Sequence, residues 1–315
     1  MKKIFQQNVI ALVWDFDKTL IPYYMQRPLF QKYGIDEPSF WNETKRLVEL
    51  YTAKGIRVNH ETAYLNHLLT YVQEGHLKGL NNDILFELGK ELSFFDGIPD
   101  FFKKTKEYIS TNKAYAKYEI QLEHYVVSSG LAQMVKGSAL AQHIDDVWAC
   151  EFIESPLVPI NGKLEEKSGD TEISSIAYSI DNTTKTRALF EISKGVNKYP
   201  GEIDVNQSMP EEHRRIPFKH MIYIADGPSD IPSFSVVKKG GGKAFAVYDP
   251  NNERSFPQAK SLLTSGRVDM FGEANYASGT TYTWLMDEIK GLADQIVSKK
   301  QSELSEAKSG VPKFI

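Results

Sequence analysis

An apolar run that stops abruptly on two acids constrains this chain more than any other feature. Residues 8–14 read Asn-Val-Ile-Ala-Leu-Val-Trp without polar alternation, and Asp15-Phe16-Asp17 follow at once. A strand buried on both faces has this pattern, and such strands belong to parallel sheets covered by helices. Acids at the carboxyl end of such a strand lie where open α/β sheets hold their ligands.

Two further apolar segments end the same way. His124–Val127 runs into Ser128-Ser129-Gly130, and Met221–Ala225 runs into Asp226-Gly227-Pro228-Ser229-Asp230. Val147–Ile153 and Ala244–Tyr248 also read as strands, with helical spacing over Pro99–Ser110, Leu131–Ala141 and Thr184–Ser193. Strands alternating with helices predict an α/β fold with a Rossmann-like parallel sheet.

The segment 21–96 breaks that alternation. Apolar residues recur at helical spacing over Ser39–Ala53, Glu61–Gln73 and Asn82–Leu92, with Gly55, Gly75 and Gly79 in the gaps. No strand pattern occurs there, so an inserted domain of about three helices is expected. The division that follows is a core of 1–20 with 97–297, a helical insertion at 21–96 and a polar tail at 298–315. Gly195–Pro217 is polar and reads as a surface excursion.

Composition narrows the class. With 41% hydrophobic and 25% charged residues the chain is ordinary globular material, and its net charge of −4 disfavours a nucleic-acid partner. No run approaches the roughly 18 apolar residues of a membrane helix. Cys150 is the sole cysteine, which excludes an intrachain disulfide and a cysteine zinc cluster and points to a reducing, cytoplasmic setting. The seven histidines form no His-Glu-x-x-His pattern, and His60 and His67 read as surface or packing residues. Gly240-Gly241-Gly242-Lys243 lacks the phosphate-loop spacing and reads as a turn before a strand. Oligomeric state is not encoded in any of these patterns.

In a parallel sheet the three polar strand ends converge. Asp15 and Asp17, two apart, leave the strand toward one region, and Asp226 adds negative charge that a hard cation would offset. Oxygen-only donors of this kind suit Mg²⁺. Ser128, beside Ser129 and Gly130, can hold an anion with its hydroxyl and the nearby backbone N–H groups. Acids, a metal and an anion cradle together indicate phosphoryl transfer.

These residues resemble the haloacid dehalogenase-like (HAD) hydrolases. Asp15, Asp17 and Thr19 match the Asp-x-Asp-x-Thr motif after a hydrophobic strand, and Ser128 the Ser or Thr after the next. Lys185 matches the lysine at a helix start, with Lys194 nearby, and Asp226 and Asp230 match the acidic strand end. The resemblance spans roughly residues 9–250 and implies a Mg²⁺-dependent phosphatase. In it Asp15 is the nucleophile and Asp17 the general acid and base. Thr19, Ser128, Ser129, Gly130 and Lys185 hold the phosphate, and Asp15, Asp17, Asp226 and Asp230 the metal. An acid at Asp17 favours ester chemistry over dehalogenation, because a halide needs no proton.

An insertion between the first two motifs implies a helical cap of the type in the phosphoserine phosphatase branch. That branch carries a glutamate nine residues after the nucleophile, where this chain has Tyr24. Phosphoserine is therefore not carried over, and the substrate is expected to be another small phosphorylated metabolite. Arg27, Arg46, Arg57, Tyr23, Tyr24 and Trp41 are candidate cap contacts. A phosphotransferase or mutase with the same site, and a non-catalytic sensor of a phosphorylated ligand, are the alternative readings.

Overall fold

The computed structural model describes residues 5–166 and 171–309. Its strands are β1 (Val9–Trp14), β2 (Gln121–Leu131), β3 (Asp146–Ile153), β4 (Leu157–Ile160), β5 (Lys163–Glu166), β6 (Ser175–Tyr178), β7 (Met221–Ala225), β8 (Lys243–Tyr248) and β9 (Met270–Glu273). The segment after β1 holds α1 (Arg27–Tyr33), α2 (Glu37–Ala53), α3 (His60–Gln73) and α4 (Asn82–Gly89). Then come α5 (Asp100–Thr111), α6 (Lys113–Ala116), α7 (Ala132–Gly137), α8 (Thr184–Lys194), α9 (Ile231–Lys239), α10 (Ser255–Thr264) and α11 (Gly279–Ser309).

Seven strands form one sheet in the order β6-β3-β2-β1-β7-β8-β9. All neighbours are parallel except β6, which runs antiparallel to β3. The fold class is therefore the expected α/β with a mostly parallel sheet. β1 is central, and every one of its residues is buried, which is why its sequence shows no alternation.

Beside β1 a chain of buried polar atoms is tied internally. Trp14 Nε1 donates to His124 Nδ1 at 3.1 Å, and His124 Nε2 lies 2.9 Å from Thr105 Oγ1. Burial holds His124 well below the usual histidine range, so the ring is neutral. With Nδ1 accepting, Nε2 carries the proton and donates to Thr105, whose hydroxyl in turn bonds Phe101 O at 2.9 Å.

Four helices, one more than expected, follow β1. α1 escaped notice because only seven residues form it, with Pro28 in its first turn and too short a stretch for periodicity to emerge. α4 packs on α7 through two glycines: a Cβ on Gly89 would collide with the Met134 carbonyl, and one on Gly137 with that of Phe86. The backbones touch there, so neither position tolerates a side chain.

Other differences have equally local causes. β4 and β5 form an unexpected hairpin whose signal is Asn161-Gly162, with φ of 51° and 77°. Both turn positions sit in the left-handed region that an Asn-Gly hairpin needs. Residues 298–309, expected as a polar tail, continue α11, where Lys299 reaches Glu303 at 3.7 Å one turn on. The remaining six residues of that expected tail, 310–315, lie outside the described residues. The 195–217 excursion is built of turns and short 3-10 segments. It is anchored by Arg215, which forks onto the Glu123 carboxylate with two 2.6 Å bonds. No helix among the described residues is long and apolar enough to cross a membrane.

Candidate active site

Register brings the three polar strand ends together. Trp14 pairs with Val126 on β2 and with Ile224 on β7. The chains therefore leave the sheet side by side, with Asp15 between Ser128 and Asp226. Asp15 N–H still bonds Ile224 O at 2.9 Å, so the first acid is fixed by the ladder itself. Lys18 turns the chain with a φ of 60°.

Both oxygens of the Asp15 carboxylate are engaged. Lys185 Nζ donates to Oδ1 at 2.7 Å and Thr19 Oγ1 to Oδ2 at 3.2 Å. Thr19, expected at the phosphate, is fully buried and orients Asp15 instead; Tyr276 OH pins its carbonyl at 2.6 Å. Lys185 is nearly inaccessible and also donates to Asp230 Oδ1 at 2.7 Å. Lys194 points elsewhere, its ammonium bonding Val205 O at 2.5 Å and Gln207 O at 2.7 Å.

Asp230 does not cap α9 with its side chain. Tyr223 OH donates to its Oδ1 at 2.6 Å and Ser229 Oγ to Oδ2 at 2.9 Å. Asp230 therefore braces Lys185, and Tyr223 braces Asp230. Tyr223 escaped the sequence reading because it sits inside an apolar strand, and Tyr276 because it lies in a short loop with no pattern around it.

The region around Ser128 differs from expectation. β2 runs on to Leu131 with a register shift after Val127, and α7 begins only at Ala132. Ser128-Ser129-Gly130 is thus the irregular end of a strand that leads into α7, whose start falls one residue after the expected Leu131. Ser128 Oγ accepts Gly130 N–H at 3.0 Å, and Ser129 O accepts the Tyr64 hydroxyl at 2.5 Å.

Asp17 Oδ1 accepts Met25 N–H at 2.9 Å. Asp17 also lines a cavity of about 320 Å³ between the sheet edge and α2 and α3, walled by Tyr24, Gln26, Trp41, Tyr64 and Ser129. Tyr24 and Trp41 of the candidate cap contacts face it. Arg27 instead pairs with Glu37 at 3.1 Å, Tyr23 accepts Ser93 N–H, and Arg46 is exposed. Arg57 lines a larger cavity of about 860 Å³ between α2 and α3, away from Asp15.

Electrostatics follow from burial and crowding. Burial pushes Asp15 up to about 6 against the pull of Lys185. Burial, then the Asp15 charge, raises Asp17 well above the carboxylate range. Asp226 goes up to about 8 through burial and the nearby Asp15 and Asp230. Burial alone would lower Lys185, but Asp15 and Asp230 raise it well above its usual value. Asp15, Asp226 and Asp230 each bring one oxygen within 4.8 Å of the others. An all-oxygen set of three carboxylates has the donor chemistry of a hard divalent cation site. Asp17 is not in that trio; its side chain addresses the cavity.

Over 290 residues the chain is 41% identical to an uncharacterized protein of Borreliella burgdorferi, covering 90% of this chain and 98% of that protein. The two belong to one family. No family model matches the chain. Among solved structures it is similar to a HAD family hydrolase from Salmonella enterica serovar Typhi, with a TM-score of 0.45 and 14% identity. That match covers 78% of this chain and 64% of the other, so the chain spans less than two thirds of that protein's length. It is also similar to a phosphoserine phosphatase in a phospho-aspartyl intermediate analogue form, with a TM-score of 0.45, 17% identity, and coverage of 84% of this chain and 93% of that one. On its own residues the chain has the arrangement the HAD resemblance implies: three of the four motifs end the adjacent strands β1, β2 and β7, and the lysine in the first turn of α8 bonds the first aspartate.

Proposed function

We propose that this chain is a Mg²⁺-dependent phosphomonoester hydrolase acting on a small soluble metabolite through an aspartyl-phosphate. The observation that carries the reading is the clamp on Asp15, with Lys185 on one oxygen and Thr19 on the other, beside an Asp17 that faces the cavity. A carboxylate fixed at both oxygens is a positioned nucleophile.

Asp15 attacks phosphorus and forms the P–O bond as the ester bond breaks. Asp17, whose proton affinity burial and the Asp15 charge raise, gives its proton to the departing oxygen. As a carboxylate it then takes a proton from the water that attacks the aspartyl-phosphate, which frees phosphate and restores Asp15. Lys185 stays charged throughout and offsets the negative charge between nucleophile and phosphate. Ser128 offers its hydroxyl to a phosphoryl oxygen, with Ser129 and Gly130 beside it. Asp15, Asp226 and Asp230, with the backbone of Asp17, would hold the divalent ion, which when bound neutralises phosphoryl charge.

Residues 21–96 serve in this reading as the cap, over a core of 1–20 and 97–297. The lone buried Cys150 and the net charge of −4 fit a cytoplasmic enzyme with no nucleic-acid partner.

Phosphate release from 4-nitrophenyl phosphate with Mg²⁺ tests the proposal. Wild type should turn over and lose activity in EDTA, and Asp15→Asn should fall by at least about 10³-fold while staying folded. Equal turnover by both proteins would remove Asp15 as nucleophile.

A further inference from the structure

Two side chains of the segment 21–96 grip one peptide group at the end of β2. Tyr64, buried on α3, donates its hydroxyl to Ser129 O at 2.5 Å. Met25 closes on the next residue, where a Cβ on Gly130 would come within 2.3 Å of its Cε. Ser129 C=O and Gly130 N–H are the two ends of that peptide group, and the N–H donates to Ser128 Oγ at 3.0 Å. A hydrogen-bonded chain thus runs from Tyr64 through the peptide to the Ser128 hydroxyl. Resting on the phosphatase reading, we infer that Tyr64 is a positioning residue for phosphate: it sets the Ser129–Gly130 peptide that aims the Ser128 hydroxyl at the phosphoryl group.

Peptide geometry makes the link stiff. The group is planar, so its C=O cannot turn without its N–H. Fixing Ser129 O therefore fixes the direction of the Gly130 N–H and the oxygen it meets. Ser128 Oγ accepts there and still has its own proton to give, which leaves it a donor for a phosphoryl oxygen. Donation to the carbonyl also polarises the peptide and strengthens the bond its N–H makes, by roughly 10–30%. Cys150 Sγ reaches the same carbonyl at 3.3 Å, but a thiol is a weak donor, so the phenol sets the carbonyl. Burial raises the proton affinity of Tyr64 well above the usual tyrosine range, and its hydroxyl stays a donor. The residue also lines the cavity beside Asp17. Tyr64→Phe removes the hydroxyl and keeps the ring, so the two contributions separate. Because Tyr64 belongs to α3, Ser128 is aimed only while that helix lies on the sheet edge, and phosphate capture is coupled to the seating of 21–96.

The test is the affinity for inorganic phosphate with Mg²⁺, read by calorimetry and as competitive inhibition of 4-nitrophenyl phosphate hydrolysis. Wild type, Tyr64→Phe, Ser128→Ala and the double variant form a cycle. Tyr64→Phe should weaken phosphate binding by about three- to tenfold, the worth of one hydrogen bond. In the Ser128→Ala background the same change should cost less than about twofold, because no hydroxyl is left to aim. KM for 4-nitrophenyl phosphate and for glycerol 3-phosphate should rise by a common factor, since both share only the phosphoryl group. Equal weakening in the two backgrounds, or phosphate affinity unchanged beside a lowered melting temperature, would make Tyr64 a packing residue and overturn the inference. Either result leaves the phosphatase reading standing. A wild type that neither binds phosphate nor turns over an ester would bring down that reading itself.

Discussion

The sheet edge and the cavity wall, a few residues apart along the chain, treat their polar groups in opposite ways. At the edge Asp15, Thr19, Lys185, Tyr223 and Asp230 bond one another with oxygen and nitrogen atoms 2.6 to 3.2 Å apart. On the wall Gln26 and Trp41 keep buried atoms unpaired. The edge is organised before any substrate arrives, as groups that act on developing charge must be. In the proposed reading the chemistry resides in the part that satisfies itself.

Substitutions can separate the two regions. The largest expected effect after loss of the nucleophile is Asp17→Asn, at about 10²–10⁴-fold in kcat. Asp17 works protonated, and its surroundings raise its proton affinity, so wild-type activity should fall as pH rises through that raised value. The variant's pH–rate profile should lose this high-pH limb; a loss below tenfold with the limb intact would deny Asp17 the role.

Lys185→Met comes next. It removes the ammonium that bonds both Asp15 and Asp230 and leaves buried carboxylates uncompensated, so stability in EDTA should fall by about 3–5 kcal/mol in urea unfolding. Activity should drop on all substrates equally, because the edge and not the wall is damaged. A drop confined to one substrate would blur the division drawn here.

The smallest effect concerns pH and stability. Asp226 has its proton affinity raised in the folded protein, to a pKa of about 8, above the roughly 3.9 of an unfolded chain. Folding then binds a proton between those values, so its ionisation weakens the fold at high pH. In EDTA the melting temperature should therefore rise as pH falls from about 8 toward 6. Asp226→Asn should flatten that slope, and so should Mg²⁺; an unchanged slope in both would mean the carboxylate is not the origin of the strain.

Much of the fold was legible because a buried strand needs unbroken apolar sequence and a parallel sheet needs helices between its strands. Val9–Trp14 and Met221–Ala225 read correctly for that reason, to within a residue at their ends. The end of β2 did not, because Ser-Ser-Gly reads as a loop while the strand continues through it. The hairpin at 157–166 had a signal in Asn161-Gly162 that period alone could not weigh, since its strands are four residues each.

By itself the amino-acid sequence determined the strand ends and the acids on them, because charge placed directly after a buried strand has one edge of the sheet to occupy. Tertiary structure alone decided that Thr19 faces Asp15 and that Tyr223 braces Asp230. It also decided that Gln26 and Trp41 share a cavity with Asp17. Those relations join residues whose separation along the chain carries no period, and only the folded sheet edge, with the segment 21–96 packed on it, brings them together.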